Sequence, residues 1–539
     1  MDTWPTSHPV AGDLPLVPRR PHGRLPRPAA GSTHPTPMSD HERTLVPIPV
    51  AGGLAVASSF AAVGPTPAYV VAPIGDLVVA LTPDPVVTLS ILWLGSLGSL
   101  LGFGLAHAIA IGLFGGIAAG AAWAGDRFAG GPRAEGVAVI GGGTAALLLG
   151  LALGGSLLSG GAAGVGLAVG QWATRHLVDV PTAVPSQQRR RVLGALAAVA
   201  GFGGLAFWSG REAGGANSRI AESVFGTETE PGLVDREPVK EQLASARAAS
   251  FDVEGLSGLV SDIEHFYEVD INSIDPRVDA DSWSVQVTGA VDRPMEFRYR
   301  DLLSFDIEHR FVTLRCVGDS LNGHQLDTAL WTGVPVSALL EAAGPRGEYV
   351  MLRAADRYFE EFPLSALEDG FLAFGMNGEV LPRGHGYPVR ALIPGHWGEI
   401  NVKWLTEIEI LDQEMKGYWE QRGWHGTGPV NTVAKLWAES RQPDGRIVLA
   451  GPAYAGTRGI ERVEVSADGG ETWTDAELGP ELPGTDVWRQ WRHVLDPSQE
   501  PVDVVVRATD GTGSVQPEED AQPYPSGATG WVRKRIDPA

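Results

Sequence analysis

The sequence predicts a chain of three parts: an apolar helical region suited to a membrane, a soluble α+β domain, and an all-β sandwich domain. Apolar stretches of helical length are confined to residues 47–210 of the 539. Residues 1–211 hold 12 arginines and 9 acidic residues, a charge of +3, whereas the rest carries −26. Short alternating strands with glycine turns fill residues 428–539. The acidity of the soluble part argues against nucleic acid as a partner.

The N-terminal part divides into a tail and a helical region. Residues 1–46 are rich in proline, arginine and polar residues, which predicts a disordered tail. Residues 47–210 are predicted to form about five transmembrane helices, because a span needs about 20 apolar residues. The apolar stretches lie at 47–64, 98–123, 136–153, 156–172 and 192–209. The semi-apolar region 69–97 is a re-entrant segment, an outside loop or a further helix.

Arginine placement predicts the orientation of this region. In a five-span arrangement the flanking arginines all fall on one side of the membrane, which the positive-inside rule makes the cytoplasm. They are Arg19, Arg20, Arg24, Arg27, Arg127, Arg133, Arg175, Arg189, Arg190 and Arg191. The chain is therefore expected to be multi-pass, with everything after about residue 210 extracytoplasmic. The run Arg189–Arg191 also resembles a twin-arginine export signal, and ordinary positive-inside charge is the alternative.

The soluble part begins with a predicted linker over residues 211–250. Residues 251–427 mix short strands and helices without a regular βαβ repeat, which predicts an α+β domain. Strands are expected at Trp283–Val287 and Val389–Ile393, and the spacing within Val334–Ala342 predicts a helix after Pro335.

The C-terminal part, residues 428–539, is predicted to be an immunoglobulin-like β-sandwich. Its strand-like runs are Ile447–Ala450, Ile460–Ser466 and Val502–Ala508, and Asp468–Gly470 forms a turn between strands. Short strands at this spacing are typical of two packed antiparallel sheets.

Cys316 is the single cysteine, which excludes an intramolecular disulfide and a multi-cysteine zinc site. It ends an apolar strand, and three interpretations are open: a small core residue, a nucleophile partnered by His309 or His324, or a ligand for a soft metal. The neighbouring Arg315 is expected to favour the thiolate.

A second cluster of functional residue types follows Cys316 in the chain. Arginine, histidine and lysine repeatedly flank glycine-rich turns in Met376–Arg390 and Asn401–Trp404. Such an array binds a phosphate or another polar anion, or else it is a set of structural turns with solvated charges.

Four ordered motifs resemble the sulfite oxidase family of molybdopterin enzymes. They are Cys316 with the following Trp331–Pro335, the stretch Met376–Arg390, the segment Val402–Trp404, and Arg462–Trp473, which resembles the family's dimerisation domain. The resemblance covers about residues 251–539 and suggests a membrane-anchored subfamily.

The resemblance implies a sulfite-oxidase-type molybdopterin domain and a molybdenum–molybdopterin cofactor. It implies that Cys316 is a catalytic residue and the protein's thiolate on molybdenum, that Tyr358 is an active-site tyrosine, and that Arg458 reaches the pocket from the sandwich domain to bind an anion. The implied cofactor contacts, besides Cys316, are Phe266, Tyr267, Asp270, Asp356, His385, Arg390, Asn401, Val402 and Lys403.

The implied function is oxygen-atom transfer, in either direction, on a small oxoanion or sulfoxide-type substrate at an extracytoplasmic site. The implied partners are a small-molecule substrate, a separate electron carrier, membrane lipid and a second copy of the chain. Two arginines of the family pattern are replaced, by the segment Phe266–Ile271 and by Asp319–Leu321, which weighs against sulfite because an oxoanion needs clustered guanidinium groups. A non-catalytic membrane scaffold or receptor on a degenerate fold, and a cysteine-dependent hydrolase, are the alternatives.

Overall fold

The computed structural model describes residues 47–83, 86–87, 90, 96–129, 131–153, 156–178, 236–272 and 274–537. Several sequence predictions lie outside these residues: the disordered tail at 1–46, the arginine run at 189–191, the fifth apolar stretch at 192–209, and the linker up to residue 235.

The first helices form a bundle, and shorter helices follow in the soluble part. The α-helices are α1 Pro47–Val63, α2 Ala72–Leu81, α3 Ser96–Phe128, α4 Gly131–Gly136, α5 Gly142–Ala152, α6 Leu157–Val178, α7 Glu237–Ala249, α8 Tyr299–Leu302, α9 Ser337–Ala343 and α10 Leu364–Glu368. The first four predicted apolar stretches are helical, and α2 lies within the region 69–97 that the sequence left open.

Small residues let the bundle helices approach closely. Helix α1 packs against α3 and α6, and α5 packs against α6. A Cβ atom at Gly52 would overlap the carbonyl oxygen of Ile111, so no other residue fits there without a shift. The outer surface carries exposed leucines and Trp123. Two segments, Leu100–Phe128 and Arg133–Ala152, are long and apolar enough to cross a membrane, by length and composition.

The soluble part is built from short strands. They are β1 Ser284–Gly289, β2 Met295–Arg298, β3 Glu308–Arg315, β4 Leu326–Pro335, β5 Tyr349–Ala354, β6 Phe359–Pro363, β7 Phe371–Met376, β8 Glu379–Val380, β9 Arg390–Leu392, β10 Leu405–Leu411, β11 Val433–Ala434, β12 Ala438–Arg441, β13 Ile447–Tyr454, β14 Ile460–Ser466, β15 Thr474–Asp475, β16 Glu477–Leu478, β17 Arg489–Leu495, β18 Val502–Asp510 and β19 Val532–Ile536.

Two sheets make up the α+β domain. One has the order β2-β1-β10-β5-β6, with β1 and β10 parallel, and the other has the order β3-β4-β7-β8, with β9 paired to β7. The predicted strands correspond to β1 and the fully buried β9. The helix predicted after Pro335 is α9, which begins at Ser337, because Val334 and Pro335 pair with β7 as the end of β4.

The C-terminal strands form two antiparallel sheets, β11-β13-β17-β16 with β12 on β13, and β15-β14-β18-β19. The sheets share a core that includes Leu449 and Trp491 from one sheet and Val463, Val504 and Val506 from the other. This arrangement agrees with the predicted sandwich of alternating inward-facing residues.

A separate core joins the two soluble domains. It includes Val239 of α7, Phe311 of β3, Leu330 of β4, Tyr454 of β13 and Trp488, so α7 packs into this core. The domain boundaries remain predictions, and this shared core fixes the sandwich beside the strand that leads to Cys316.

Candidate active site

A cavity of about 930 Å³, counting the solvent at its mouth, lies where the ends of β3 and β5 meet the chain around β9. Eleven of the twelve predicted site residues line it. They are Phe266, Tyr267, Asp270, Cys316, Asp356, Tyr358, His385, Arg390, Asn401, Val402 and Lys403. Since these residues span almost 140 positions of sequence, only the fold brings them together.

Cys316 stands directly after β3, where its backbone N–H donates to the carbonyl of Gln325 at 3.0 Å. A Cβ atom at Gly318 would lie 3.6 Å from its sulfur and 4.0 Å from the Trp424 ring, so glycine leaves room beside the thiol. Burial raises the pKa of Cys316 to about 12. The charge of Arg315 does lower the pKa of Cys316, as expected, but burial outweighs it, and coordination to a metal cation is what deprotonates such a thiol.

Arg315 also belongs to a buried charge network behind Cys316. Its Nε donates to Asp319 Oδ2 at 3.3 Å, and Lys435 Nζ lies 2.6 Å from the same oxygen. The three side chains are at most 1% exposed. Lys435 comes from the sandwich domain and also donates to the carbonyls of Ser320, Leu321 and Gly323, so it fixes the loop after Cys316. We name Arg315, Asp319 and Lys435 the buried charge network.

The opposite part of the cavity is basic. The Arg390 guanidinium donates to the carbonyls of His385 at 3.2 Å and Asn401 at 2.9 Å and lies over the Trp331 ring. Its buried Nε has no hydrogen-bond partner among the described residues. Burial, and then the Arg390 charge, lower the pKa of His385 to about 4, so His385 is neutral at pH 7.

Lys403 completes this basic part. Its Nζ lies 2.5 Å from Asp270 Oδ1 and donates to the carbonyl of Gly384 at 2.7 Å. Gly386 has a φ of 111°, and a Cβ atom there would lie 3.0 Å from the Cβ atoms of Arg390 and Lys403. A glycine at this point therefore allows the two cationic side chains to converge.

Other predicted residues have mainly backbone partners. The Asn401 side chain accepts from the Ile393 N–H at 2.6 Å and donates to the Trp397 carbonyl at 2.9 Å, so it orders the loop around itself. Asp356 accepts from the Tyr358 N–H at 3.0 Å, and burial raises the pKa of Asp356 to about 6.

Tyr358 faces three glutamates that the sequence analysis missed. Its hydroxyl donates to Glu360 Oε2 at 2.9 Å and lies 2.9 Å from the carbonyl oxygen of Glu399. The Glu420 carboxyl adjoins that of Glu360, since a Cβ atom at Gly417 would meet Glu360 Oε1 and, at 2.7 Å, Glu420 Oε2, and it interacts electrostatically with Glu399. We name Glu360, Glu399 and Glu420 the carboxyl trio. They come from β6 and two separate 3₁₀ turns, so no local pattern marked them.

Arg458 is the one predicted site residue outside the cavity lining. Its Nε donates to Asp510 Oδ2 at 2.9 Å, and its Nη2 donates to the Val430 carbonyl and to Thr432. The almost fully buried Asp510 thus pairs with the guanidinium, Arg458 does not line the cavity described above, and its role as an anion-binding residue remains a prediction.

The wall around Cys316 is poor in positive charge. It includes Val317, Gly318, Trp419, Trp424 and Glu399. Within the described part of the chain, the basic side chains that line the cavity are those of the His385, Arg390 and Lys403 group. Arg353 and Arg357 pair elsewhere, with glutamates of β10 and with Asp76.

Comparison with known families identifies two matching domains. Residues 272–419 match the oxidoreductase molybdopterin binding domain, and residues 431–525 match the Mo-co oxidoreductase dimerisation domain. The first range contains Cys316, Tyr358 and the basic part of the cavity.

Similar curated proteins include two sulfite oxidases and a nitrate reductase. The chain is 29% identical to sulfite oxidase of Arabidopsis thaliana, over 49% of this chain and 84% of that protein. It is 29% identical to mitochondrial sulfite oxidase of Rattus norvegicus and to nitrate reductase [NADH] of Solanum lycopersicum, over 45% of this chain. The match spans 55% of the rat protein and 35% of the tomato protein.

A solved structure also aligns with the chain. It is the sulfane dehydrogenase SoxCD of Paracoccus pantotrophus, with a TM-score of 0.46 and 24% identity, covering 52% of this chain and 82% of that one.

Proposed function

Because this chain carries the molybdopterin-binding and dimerisation domains of the sulfite oxidase-type oxidoreductases, we propose that it is a molybdenum-cofactor enzyme that transfers an oxygen atom to or from a small substrate. The observation that supports this most is the convergence of Cys316 and ten other predicted site residues on one cavity. The dimerisation domain supports a homodimer, and a separate carrier is proposed to exchange the electrons.

The residues around the cavity fit the proposed cofactor. Buried donors without a partner among the described residues, Arg390 Nε and Trp424 Nε1, suit a ligand rich in hydrogen-bond acceptors. Arg390 and Lys403 supply positive charge for a phosphate group. Cys316 offers the one soft thiolate, and the described residues contain no group of three or more histidine, cysteine or acidic side chains that would hold a metal by itself. The chain thus suits a metal whose other ligands are supplied mostly by the cofactor.

When bound, the cofactor supplies oxygen-atom transfer coupled to one-electron steps. The protein's own residues have four proposed tasks. Cys316 ligates the metal, and neutral His385 with Arg390 and Lys403 binds the pterin phosphate. Trp419 and Trp424 exclude water around the Cys316 side of the cavity. Tyr358 holds a hydroxyl proton between the cavity and the carboxyl trio.

The substrate is proposed to be a neutral sulfoxide or thioether, in preference to sulfite. The wall near Cys316 offers aromatic rings and the Glu399 carboxyl, whereas a dianionic oxoanion is bound by clustered guanidinium groups. Arg458, which the resemblance implied for that role, and Arg353 are each paired with a carboxylate and do not line the cavity.

We expect close to one molybdenum atom per chain when the full-length protein is purified in detergent from a host that makes the cofactor. Elemental mass spectrometry measures the metal. The loaded protein is then expected to reduce small sulfoxides, or to oxidise thioethers, faster than it oxidises sulfite. Folded protein without molybdenum would overturn the proposed function and favour the scaffold alternative. Faster sulfite oxidation would overturn only the proposed substrate class.

The helical bundle is proposed to anchor the enzyme in a membrane, with the catalytic domain extracytoplasmic. Large apolar side chains such as Leu100, Trp123, Ile140 and Leu157 are more than half exposed on the bundle surface, as lipid contact requires. The catalytic domain touches the bundle through Ile274, which packs against its core. The cavity would therefore lie close to an electron carrier that is in or on the membrane.

We expect the chain to stay in the membrane pellet after an alkaline carbonate wash and to be released by detergent. In sealed vesicles of known orientation, protease is expected to cut the soluble domains only from the extracytoplasmic side. Release by the wash would contradict the anchor, and cleavage from the opposite side would reverse the orientation.

A further inference from the structure

The carboxyl trio lies at the wall of the cavity, beside Tyr358. The Glu360 carboxyl accepts a hydrogen bond from the Tyr358 hydroxyl at 2.9 Å. It also accepts hydrogen bonds from the backbone N–H groups of Glu361 and Trp419, both at 3.3 Å. Glu399 lines the cavity itself. Glu420 adjoins Glu360 beside Gly417 and interacts electrostatically with Glu399, so the trio connects Tyr358 through Glu360 and Glu420 to Glu399.

Glu399 provides an observation independent of this clustering. Its side chain is 9% exposed and faces the cavity, its carboxyl lies beside the Gly426 backbone N–H, and neither oxygen has a side-chain donor among the described residues. Neither Glu420 carboxyl oxygen has a hydrogen-bond donor among the described residues. Carboxyls this close cannot all ionise, because like charges in a buried site repel and a contact between two carboxyl oxygens needs a proton. The trio must therefore hold at least one proton.

The electrostatics agree with this geometry. Burial first, and then the neighbouring carboxyls, raise the pKa of Glu360 and of Glu399 well above the usual range. The titratable groups that face the trio include Tyr358, Glu361 and Cys316, and Arg422 lies two residues after Glu420 with its guanidinium over the Tyr418 ring. Glycine at 417 is required for the packing, because a Cβ atom there would overlap the Glu360 carboxyl.

We propose that the carboxyl trio and the Tyr358 hydroxyl form a proton relay for oxygen-atom transfer at the cavity. The proposal rests on the proposed function. Oxidation of a thioether consumes one water and yields the sulfoxide, two protons and two electrons, and a one-electron carrier takes the electrons in two steps. The relay accepts the two protons and passes them to solvent. In the opposite direction it delivers two protons, and the sulfoxide oxygen leaves as water.

The test compares Glu399→Gln and Glu420→Gln with Glu368→Gln, an exposed carboxyl on α10, all in the full chain. Glutamine keeps the shape and removes the exchangeable carboxyl proton. Turnover per bound molybdenum is expected to fall about 100-fold in the two trio variants, at the lower end of what a positioned proton donor contributes. The inflection of the rate with pH is expected to flatten as well. Glu368→Gln should behave as wild type.

Infrared spectroscopy detects the carboxyl protons of the trio directly, in protein that is not turning over substrate. Near about pH 7, wild type is expected to show a protonated-carboxyl stretching band that shifts in heavy water and is lost in Glu399→Gln. Wild-type turnover is expected to be slower in heavy water. This solvent isotope effect is measured on wild type alone, so it tests the relay even if a variant folds poorly. The relay is supported if the infrared band and the solvent isotope effect are both observed and the trio variants are slower and less sensitive to pH.

Three results would overturn it. Wild type without a trio-dependent infrared band would mean that no proton is stored there. Variants that bind molybdenum and turn over as wild type would leave the trio a structural cluster, and so would the absence of a solvent isotope effect. Wild type that neither binds molybdenum nor transfers oxygen would instead remove the proposed function itself, whatever the infrared spectrum shows.

Discussion

Cys316→Ser is expected to reduce turnover per chain by at least ~100-fold, because changes in the surroundings of a metal ligand already cost 10–100-fold and this one removes the ligand itself. Serine is smaller and fills a site at the cavity edge, so we expect the fold to be kept. Turnover, molybdenum content and the sulfur shell in X-ray absorption measure the effect. Ser320→Ala, which changes an exposed hydroxyl in the same loop, is the matched control.

The alternatives for Cys316 predict different results. A small core residue would lose some stability on substitution and keep its turnover. A nucleophile would be alkylated in cofactor-free protein, yet burial raises the pKa of Cys316 to about 12, so little thiolate is present at pH 7 without a metal. Rapid alkylation of the cofactor-free protein would therefore contradict our interpretation of this site.

The largest effect on stability is expected from Asp319→Asn in the buried charge network. The substitution leaves Arg315 and Lys435 buried without their shared counter-charge, and breaking a buried pair costs about 3–5 kcal/mol. Loss of Asp319 also frees the loop after Cys316, so we expect less molybdenum to be retained. The shift of the urea unfolding midpoint measures the loss.

Glu477→Gln is the control for this prediction. Glu477 pairs with Arg492 at 2.8 Å on an exposed surface, and such pairs are worth about 1 kcal/mol or less. Combining Asp319→Asn with Lys435→Met is expected to recover part of the loss, since one of the two buried cations is then removed. Equal midpoints for Asp319→Asn and Glu477→Gln would show that the network contributes no more than a surface pair.

The sequence by itself determined the elements whose cause is local. The apolar stretches became α1, α3, α5 and α6, and the alternation of Ile460–Ser466 became β14, because hydrophobic periodicity is a property of consecutive residues. The residues of the cofactor motifs were named from their resemblance to a known family; their convergence on one cavity came from the fold, and their roles remain predictions.

Only the tertiary structure decided which charges meet. Arg315 was expected to favour the thiolate beside it, but its guanidinium pairs with Asp319, which also binds Lys435, and burial of Cys316 outweighs the Arg315 charge. Arg458 was expected in the pocket, but it pairs with Asp510 and does not line the cavity described above. Glu360, Glu399 and Glu420 form one cluster from three segments. The physical reason is that a charged side chain responds to whatever burial and packing place within a few ångströms, and those neighbours come from distant parts of the chain.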